Sequence, residues 1–390
     1  MTLDIAPSRE TYLSKSIFNL EFENLFQKSW FFAGVTSDLP EAGSYKTLHY
    51  AGYSYLLIKD RNGNLRAFHN LCRHRGVELL EGDGKLEKHI TCPYHRWTYS
   101  EEGRLIAVPS QKTCFADLDK NSWNLKNAGL GILNSLIFLH PDPDACFENW
   151  IAPVKDFLWP HDPTSSELKE QPELIYEMQC NWKIFAENAL DGYHLSHLHA
   201  ETLGGPRPEE NEWIRCQDHL IWYARDGDGD RHSLPLPVRD SLERRRASKI
   251  AHVKKHVFGG VYFLFPATLI VPTPYNFSVS QLLPSDEGST DLLVRNWSLN
   301  SWFGGEDYSL KDIDGYDPET GKIRSVKWSR PALKSNDFQT EDVWIAEKRH
   351  KGLRSPAYET GPFADGSGGE EAVLWFYSAL RRQIDYPDQR

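Results

Sequence analysis

Two mixed cysteine–histidine pairs are the first residues of the sequence with an evident chemistry. Cys72-x-His74 and Cys92-x-x-His95 are separated by 17 residues, and each pair offers one thiolate and one imidazole. A structural zinc site usually takes its cysteine pair from one hairpin and its histidine pair from a helix, or uses cysteine throughout. The mixed order instead indicates a site that sorts the two ligand types onto different metal ions.

A Rieske-type [2Fe–2S] cluster has this requirement, because two cysteines bind one of its irons and two histidines bind the other. Two loops that each give one ligand of each type would hold such a cluster from both sides. Gly76 permits a tight turn in the first loop, Pro93 stiffens the second, and Trp97 can shield one side of the cluster. Structural zinc is the alternative for these four residues.

A second group of ligand-type side chains lies in the segment "NWKIFAENALDGYHLSHLH", residues 181–199. The segment contains Asp191, His194, His197 and His199. Two neutral imidazoles and one carboxylate on one face of an iron leave its other positions open, as in non-haem Fe(II) oxygenases. The alternative is a helix end with solvent-facing histidines.

The whole chain has the composition of a soluble globular protein. It has 390 residues, of which 40% are hydrophobic and 25% charged, and its net charge of −11 argues against a nucleic-acid partner. The N-terminus lacks the features of a signal peptide, and no apolar stretch is long enough to span a membrane. We therefore expect a reducing, cytoplasmic setting in which the cysteine–histidine pairs bind metal. The cysteines without ligand spacing are expected in the core: Cys114, Cys146, Cys180 and Cys216.

Three kinds of segment must position these groups. Residues 8–30 have helical periodicity, whereas residues 43–139 read as short strands and turns, with a hairpin around an Asn-Gly turn. Both cysteine–histidine pairs therefore sit at turns of a small β-domain. The apolar stretch at residues 259–275 is interrupted by two prolines and is expected to form buried strands.

The first motif, written "CRHRG" and "CPYHRWTYSEEGRL", resembles the Rieske domain of ring-hydroxylating oxygenase large subunits, with Arg96 where many members have Gly. The pattern NWK…EN…D-x-x-H-x4-H resembles the mononuclear iron motif of the same family. The resemblance covers nearly the whole chain and implies an α+β fold. Its parts are a small all-β Rieske domain at residues 40–153 and a larger α+β catalytic domain with an antiparallel sheet at residues 1–39 and 154–390.

The same resemblance implies roles for individual residues of the second group. His194 and His199 would bind the Fe(II), which leaves His197 out. Because His194 and His199 lie about 140° apart on an ideal helix, the helix is expected to distort or break between them. Asp191 matches the family's bridging carboxylate, which links this iron to a Rieske histidine of a neighbouring subunit. Asn188 matches a polar residue near the iron.

The third iron ligand should be a carboxylate far along the chain. The segment "QTEDVWIAEKRHKGL", residues 339–353, is acidic at its start and continues with helical periodicity. Its Glu341-Asp342 pair resembles the family's distal acidic pair, whose second member is the ligand. We therefore expect Asp342 to bind the iron, with Glu341 as the alternative.

The resemblance implies the terminal oxygenase of a multicomponent enzyme that hydroxylates, dihydroxylates or demethylates a small organic substrate with O₂. The sequence contains no dinucleotide fingerprint, so electrons from NAD(P)H are expected to arrive through a separate reductase or ferredoxin. The basic stretch at residues 243–255 is typical of a solvated face, with docking of this donor as the alternative. A homotrimer is also implied.

The resemblance favours an aromatic compound or an aromatic acid as the substrate. The C-terminal segment "GLRSPAYETGPF…EEAVLWF" also looks like the branch of the family that oxidises quaternary ammonium compounds, although many members of that branch have Glu where this chain has Asp191. The alternative from another class is a Rieske electron-transfer protein without oxygenase activity. The chain length and the second motif argue against that alternative.

Overall fold

The structure, a computed structural model, places most of the chain in two compact units. It describes residues 7–157, 162–166, 168–202, 211–224, 260–272, 276–299, 310, 313–335, 337–365 and 369–386. The basic stretch at residues 243–255 lies outside the described residues. Gln27–Ala152 form one unit, here called the inserted unit, and Met1–Phe26 together with Pro153–Arg390 form the other, here called the larger unit.

The helices of the described residues are short except for two near the C-terminus. In chain order they are α1 (Glu10–Leu13), α2 (Lys15–Asn24), α3 (Gln111–Cys114), α4 (Phe147–Ile151), α5 (Trp182–Leu190), α6 (Leu195–Leu198), α7 (Phe338–Leu353) and α8 (Glu371–Gln383). The predicted N-terminal helix is therefore present but interrupted. Its break falls at Ser14, whose Oγ accepts a hydrogen bond from the backbone N–H of Ile17 and so caps the start of α2.

The inserted unit is built from three small antiparallel sheets. Their strands pair in the orders β1-β10-β9, β4-β3-β2-β5 and β6-β7-β8. The strands are β1 (Phe31–Val35), β2 (Ser44–Tyr50), β3 (Tyr53–Lys59), β4 (Leu65–His69), β5 (Asp83–Lys85), β6 (Ile90–Thr91), β7 (Thr98–Tyr99), β8 (Leu105–Ala107), β9 (Gly129–Leu133) and β10 (Leu136–His140). The unit begins earlier than the expected boundary after residue 39, because β1 pairs with β10.

The expected hairpin joins β3 to β4. Asp60 holds its turn, since one carboxylate oxygen accepts hydrogen bonds from the backbone N–H groups of Asn62 and Asn64, both at 2.9 Å. Gly63 between them has φ +84°, a conformation that glycine adopts without steric cost. The turn chemistry thus fixes the register of the two strands that precede the first cysteine–histidine loop.

The larger unit is built on one long sheet. Its strands pair in the order β13-β14-β15-β16-β17-β18-β12-β20-β19, and β11 also pairs with β18. Only β12 and β20 run parallel among these described pairs. The strands are β11 (Leu168–Glu170), β12 (Leu174–Met178), β13 (Asn211–Cys216), β14 (His219–Ala224), β15 (Gly260–Leu264), β16 (Thr268–Pro272), β17 (Asn276–Asp286), β18 (Ser289–Leu299), β19 (Tyr316–Asp317) and β20 (Lys322–Arg324). The α+β class with an antiparallel sheet is confirmed.

An aromatic core connects the helices of the larger unit to its sheet. The Trp182 ring of α5 lies 4.9 Å from Phe26 and 5.7 Å from Phe376 of α8, both edge to face. Phe376 in turn lies 5.6 Å from Phe263 of β15. The apolar stretch that contains Phe263 was predicted to form buried strands, and β15 and β16 confirm this prediction.

Two predictions about the remaining cysteines hold and two are wrong. Cys180 and Cys216 are buried, whereas Cys114 and Cys146 are exposed. Cys114 ends the single turn of α3 and Cys146 precedes the short α4, so both lie at surface turns rather than on a packed face. Among the described residues, no helix is long and apolar enough to cross a membrane.

Candidate metal centres

The two cysteine–histidine loops of the inserted unit have the same backbone design. In each loop, the N–H of the cysteine donates to the carbonyl five residues later, at 2.8 Å for both Cys72 and Cys92. The N–H of the fourth residue donates back to the cysteine carbonyl, at 2.9 and 3.1 Å. That fourth residue is Gly76 in the first loop and Arg96 in the second, with φ +71° and +59°. The two loops therefore form matching tight turns.

The loops bring the four predicted cluster ligands into one region. Cys72 and Cys92 are free thiols, almost fully buried, and belong to the same hydrophobic cluster. The His74 and His95 rings lie 4.7 Å apart. Trp97 stacks on His74 with ring centroids 4.8 Å apart and planes within 7°, which is the shielding that the sequence predicted.

The donor atoms of this group fit a [2Fe–2S] cluster. His74 Nδ1 is buried and has no hydrogen-bond partner among the described residues, a costly state unless another group binds it. Burial, with His95 and Arg75 nearby, lowers the pKa of His74, so its imidazole is neutral, as a metal ligand requires. Burial raises the pKa of the Cys72 thiol, whose sulfur lies 3.4 Å from the Tyr99 hydroxyl.

The second group of ligand-type residues lies in the larger unit, where two helices end and one begins. α5 ends at Leu190, and Asp191 follows it in an extended conformation. His194 and His199 flank the single turn of α6, and the break in the helix lies before His194, at Asp191. The expected break between the two histidines is therefore wrong in position, because the chain leaves the helix one turn earlier and α6 itself separates the two rings. Asp342 lies in the first turns of α7, whose start is capped by the Asp337 side chain.

Three side-chain atoms converge at this point. His194 Nε2 and His199 Nε2 are 3.3 Å apart, and Asp342 Oδ1 lies 2.9 Å from His199 Nε2 and 3.7 Å from His194 Nε2. Ligand atoms bonded to one divalent metal at about 2.1 Å and at roughly right angles lie about 3 Å from each other. The three atoms therefore fit two-histidine, one-carboxylate ligation of a single iron, with open positions on the other side.

The outer nitrogen of each histidine meets a different carboxylate. His194 Nδ1 lies 3.2 Å from Asp191 Oδ2, and His199 Nδ1 lies 2.7 Å from Glu341 Oε2. Burial lowers the pKa of His199, but the Asp342 and Glu341 carboxylates outweigh burial and raise that pKa to about 9. A metal at Nε2 would therefore displace a proton from this ring.

The other predicted residues are placed as follows. Asn188 donates its side-chain N–H to Asp342 Oδ1 at 2.7 Å, so it holds the carboxylate that faces the two histidines. His197 is exposed and lies outside the group, and Glu341 faces the far side of His199. Thr202, whose hydroxyl donates to Glu341 at 2.7 Å, was missed by the sequence analysis. Its position three residues after His199 was the available signal.

Comparison with known protein families identifies both units. Residues 29–126 match the Rieske [2Fe-2S] domain family. Residues 165–386 match the ring hydroxylating alpha subunit (catalytic domain) family, and this match alone covers more than half of the chain. The two cofactors of that family are a [2Fe–2S] cluster and a non-haem iron. The two groups of donor atoms described above have the chemistry that these cofactors require.

Individual relatives agree with this assignment. The chain is 26% identical over 387 residues to the glycine betaine monooxygenase oxygenase subunit of Pseudomonas aeruginosa (strain UCBPP-PA14), covering 90% of this chain and 83% of the relative. It is 30% identical over 230 residues to the anthranilate 1,2-dioxygenase large subunit of Acinetobacter baylyi, covering 57% of this chain and 49% of the relative.

A solved structure has the same fold. It is a quaternary ammonium Rieske monooxygenase, described for carnitine oxidation and inter-subunit electron transfer, with a TM-score of 0.68 and 21% identity, covering 96% of this chain and 94% of that one. The fold, the two groups of donor atoms and the two family matches lead to one conclusion. The chain belongs to the ring-hydroxylating alpha subunits, the Rieske oxygenase components that join a [2Fe–2S] domain to a non-haem iron catalytic domain.

Proposed function

We propose that this Rieske oxygenase is a monooxygenase of a small quaternary ammonium compound. The observation that supports this substrate class is the extent of similarity: the glycine betaine relative aligns over 83% of its own length, and the anthranilate relative over 49%. An aromatic acid, which the sequence favoured, becomes the second candidate.

The proposed reaction inserts one oxygen atom into a C–H bond on a carbon attached to the ammonium nitrogen. O₂, two electrons and two protons give the hydroxylated carbon and one water. The C–N bond of that product then breaks, which leaves an amine and an aldehyde. The electrons come from NAD(P)H by way of a separate reductase or ferredoxin, as in the multicomponent oxygenases that the motifs resemble.

His194, His199 and Asp342 would hold the mononuclear iron, and Cys72, His74, Cys92 and His95 would hold the cluster. The bound metals would supply single-electron transfer and open coordination positions for O₂. The chain's own residues orient the ligands. Asn188 holds Asp342 Oδ1 by a 2.7 Å hydrogen bond, which keeps that oxygen directed at both Nε2 atoms. Asp191 contacts the Nδ1 of His194 and so favours the tautomer whose Nε2 faces the site.

Asp191 is also the proposed connection between subunits of a homotrimer. Its Oδ1 accepts a hydrogen bond from the backbone N–H of Tyr193 at 2.6 Å, and its Oδ2 lies beside His194. The side chain is still 17% exposed, so the remaining lone pairs are accessible to a histidine of another subunit. Head-to-tail contacts of this kind form a ring when the rotation between subunits closes, and the proposed trimer is such a ring.

Oxygen uptake with a matched panel of substrates tests the substrate class. The purified oxygenase, supplied with NAD(P)H and a compatible reductase, should consume O₂ with glycine betaine or carnitine and release an aldehyde in equal amount. Anthranilate and benzoate should cause little uptake and give no diol. Diol formation from an aromatic acid, without turnover of any ammonium compound, would favour the second candidate.

A further inference from the structure

Glu341 has no ligand role in the proposed iron site, yet it is one of the most buried carboxylates near it. Only 1% of the residue is exposed. We infer that Glu341 is a positioning residue, which together with Thr202 locks the His199 ring so that Nε2 alone faces the iron. The inference rests on the proposed iron site and adds a residue to it.

The hydrogen bonds around Glu341 define this role. Its Oε2 accepts from His199 Nδ1 at 2.7 Å and from the Thr202 hydroxyl at 2.7 Å. His199 is itself 1% exposed, so the contact is shielded from water and worth more than an exposed one. Because Nδ1 and Nε2 lie on opposite edges of the imidazole, an oxygen that holds Nδ1 is outside the group formed by Nε2, His194 and Asp342.

A carboxylate at the outer nitrogen has two effects on a histidine ligand. It fixes the tautomer with hydrogen on Nδ1, and it makes Nε2 a stronger base toward the metal. Outer carboxylates of this kind typically change metal affinity or activity by about 10- to 100-fold when they are replaced. Thr202 restricts Glu341 further, since its hydroxyl fixes the oxygen that meets the ring.

The two histidines are held unequally. The His199–Glu341 contact is 2.7 Å long with both side chains nearly buried, whereas the His194–Asp191 contact is 3.2 Å long with 18% and 17% of the side chains exposed. We therefore infer that Glu341 holds the His199 ring in one orientation. The His194–Asp191 pair is less buried and is accessible to solvent or to a neighbouring subunit.

The chain offers a matched control on the same helix. Glu347 is also buried, and its two oxygens accept hydrogen bonds from the backbone N–H of Gln179 at 3.1 Å and from the Ser325 hydroxyl at 2.8 Å. Glu347→Gln therefore removes a buried α7 carboxylate without touching His199. Glu341→Gln replaces the same side chain in the same way, but it removes the negative charge beside His199 Nδ1.

The test is an anaerobic Fe(II) titration of the full-length protein, stripped of mononuclear iron but with its cluster intact, in competition with a chromophoric chelator. Glu341→Gln should raise the dissociation constant for Fe(II) about 10- to 100-fold, and Glu347→Gln should leave it unchanged. Thr202→Val should weaken binding to a smaller degree, and Thr202→Ser, which keeps the hydroxyl, should restore it. The paramagnetic resonance signal of the oxidised mononuclear iron should change only in the Glu341 and Thr202→Val variants.

Two kinds of failure are distinguishable in this titration. Wild-type affinity in Glu341→Gln, or an equal loss in Glu347→Gln, would overturn the positioning role of Glu341. If His199→Ala binds Fe(II) as tightly as the unmodified chain, the proposed iron site itself is wrong. Far-ultraviolet circular dichroism and the urea midpoint of each sample report whether the larger unit is folded, since the cluster spectrum reports only on the inserted unit.

Discussion

Neighbouring acidic residues meet opposite edges of one imidazole at the start of α7. Asp342 Oδ1 faces His199 Nε2, and Glu341 Oε2 faces His199 Nδ1. Successive residues on a helix point about 100° apart, so an adjacent pair can reach around a ring that lies against the helix. The pair is therefore explained by geometry: one acid is placed to bind, and the other to orient the histidine.

Replacing the proposed ligands one at a time should remove one iron per chain. We expect His194→Ala, His199→Ala and Asp342→Ala each to lose the mononuclear iron, because each removes a donor atom from a three-residue site. The cluster spectrum should survive, since the cluster residues belong to the other unit. Iron content by atomic emission, together with the visible spectrum, measures both.

His197→Ala is the matched control for the ligand variants. It removes an imidazole two residues from His199 whose side chain is exposed and outside the converging group. Its iron content should equal that of the unmodified chain. Loss of iron in His197→Ala, with retention in His199→Ala, would reverse the assignment of these two histidines.

The sequence could indicate the residues that donate to the metals, but not all of the residues that hold those donors in place. Fixed spacings indicated the two cysteine–histidine pairs, whereas the choice of His194 and His199 over His197 came from the resemblance to the family's iron motif. Asn188 was recognisable from its place in the motif, although its contact with Asp342 joins residues far apart in the chain. Tyr99, beside Cys72, carries no local signal, because its role depends on a contact between two separate loops.

At the scale of elements, the two cluster loops differ at the position that requires a left-handed backbone. Gly76 occupies this position in the first loop at no steric cost, whereas Arg96 in the second loop adopts φ +59° against its steric preference. A side chain other than glycine in this conformation costs about 1 kcal/mol or more.

Reciprocal substitutions in these loops should change stability in opposite directions. Arg96→Gly should raise the free energy of unfolding of the inserted unit by about 1 kcal/mol, because it removes the strained side chain. Gly76→Ala should lower it by a similar amount, since a Cβ there meets no atom within 4 Å and only the backbone cost remains. Loss of cluster absorbance in urea measures both midpoints. Equal midpoints in the two variants would contradict the strain argument.

A buried histidine on α7 should make the larger unit sensitive to mild acid. Burial and the nearby Arg354 guanidinium lower the pKa of His350 from 6.5 to about 4. Between pH 6.5 and about pH 4, His350 is protonated in the unfolded chain but neutral in the folded chain. The free energy of unfolding therefore falls as the pH decreases through this range. The full effect is at most about 3 kcal/mol.

His350→Asn should flatten this dependence, because the asparagine oxygen can still accept the hydrogen bond from the Asn181 backbone N–H but does not titrate. Chemical denaturation at pH 7 and at pH 5 measures the difference for each protein. His49→Gln, an exposed histidine of the inserted unit, is the control and should leave the difference unchanged. An unchanged slope in His350→Asn would show that other groups cause the acid sensitivity.

Periodicity and turn chemistry predicted most elements near the two groups of donor atoms. The hairpin of β3 and β4 and the helix of α7 follow from local rules, whereas the break in the helix was expected after His194 and lies before it. The position of β1 could not be predicted from the sequence, because its partner β10 is about a hundred residues away and the pairing has no local signature. The extended boundary of the inserted unit follows from that pairing.

At the scale of the whole molecule, Asp191 is predicted to matter for turnover and not for assembly of the metal centres. Asp191→Asn should keep the cluster and most of the iron, because neither set of donor atoms changes. Product formation in one turnover, started from the reduced protein with substrate and O₂, should slow by about 10- to 100-fold or more. Asp218→Asn, which removes the charge of a half-buried partner of Arg382 away from the iron site, is the control.

Quantified product and cluster absorbance on a rapid-mixing instrument measure this effect, and sedimentation measures the oligomer. Wild-type rates in Asp191→Asn would refute the proposed connection between subunits. Full activity in a monomer would refute the trimeric arrangement.

The insertion of one unit within the other sets an order of events during synthesis. Phe31 pairs with Leu139, so the inserted unit can fold once residue 152 has left the ribosome. The larger unit cannot complete its fold at that stage, because Tyr12 forms a 2.9 Å hydrogen bond with Tyr377, which is synthesised much later. The 225 residues from Pro153 to Tyr377 take roughly 10–50 s to translate. Each nascent chain can therefore form its cluster loops before the site for the mononuclear iron exists.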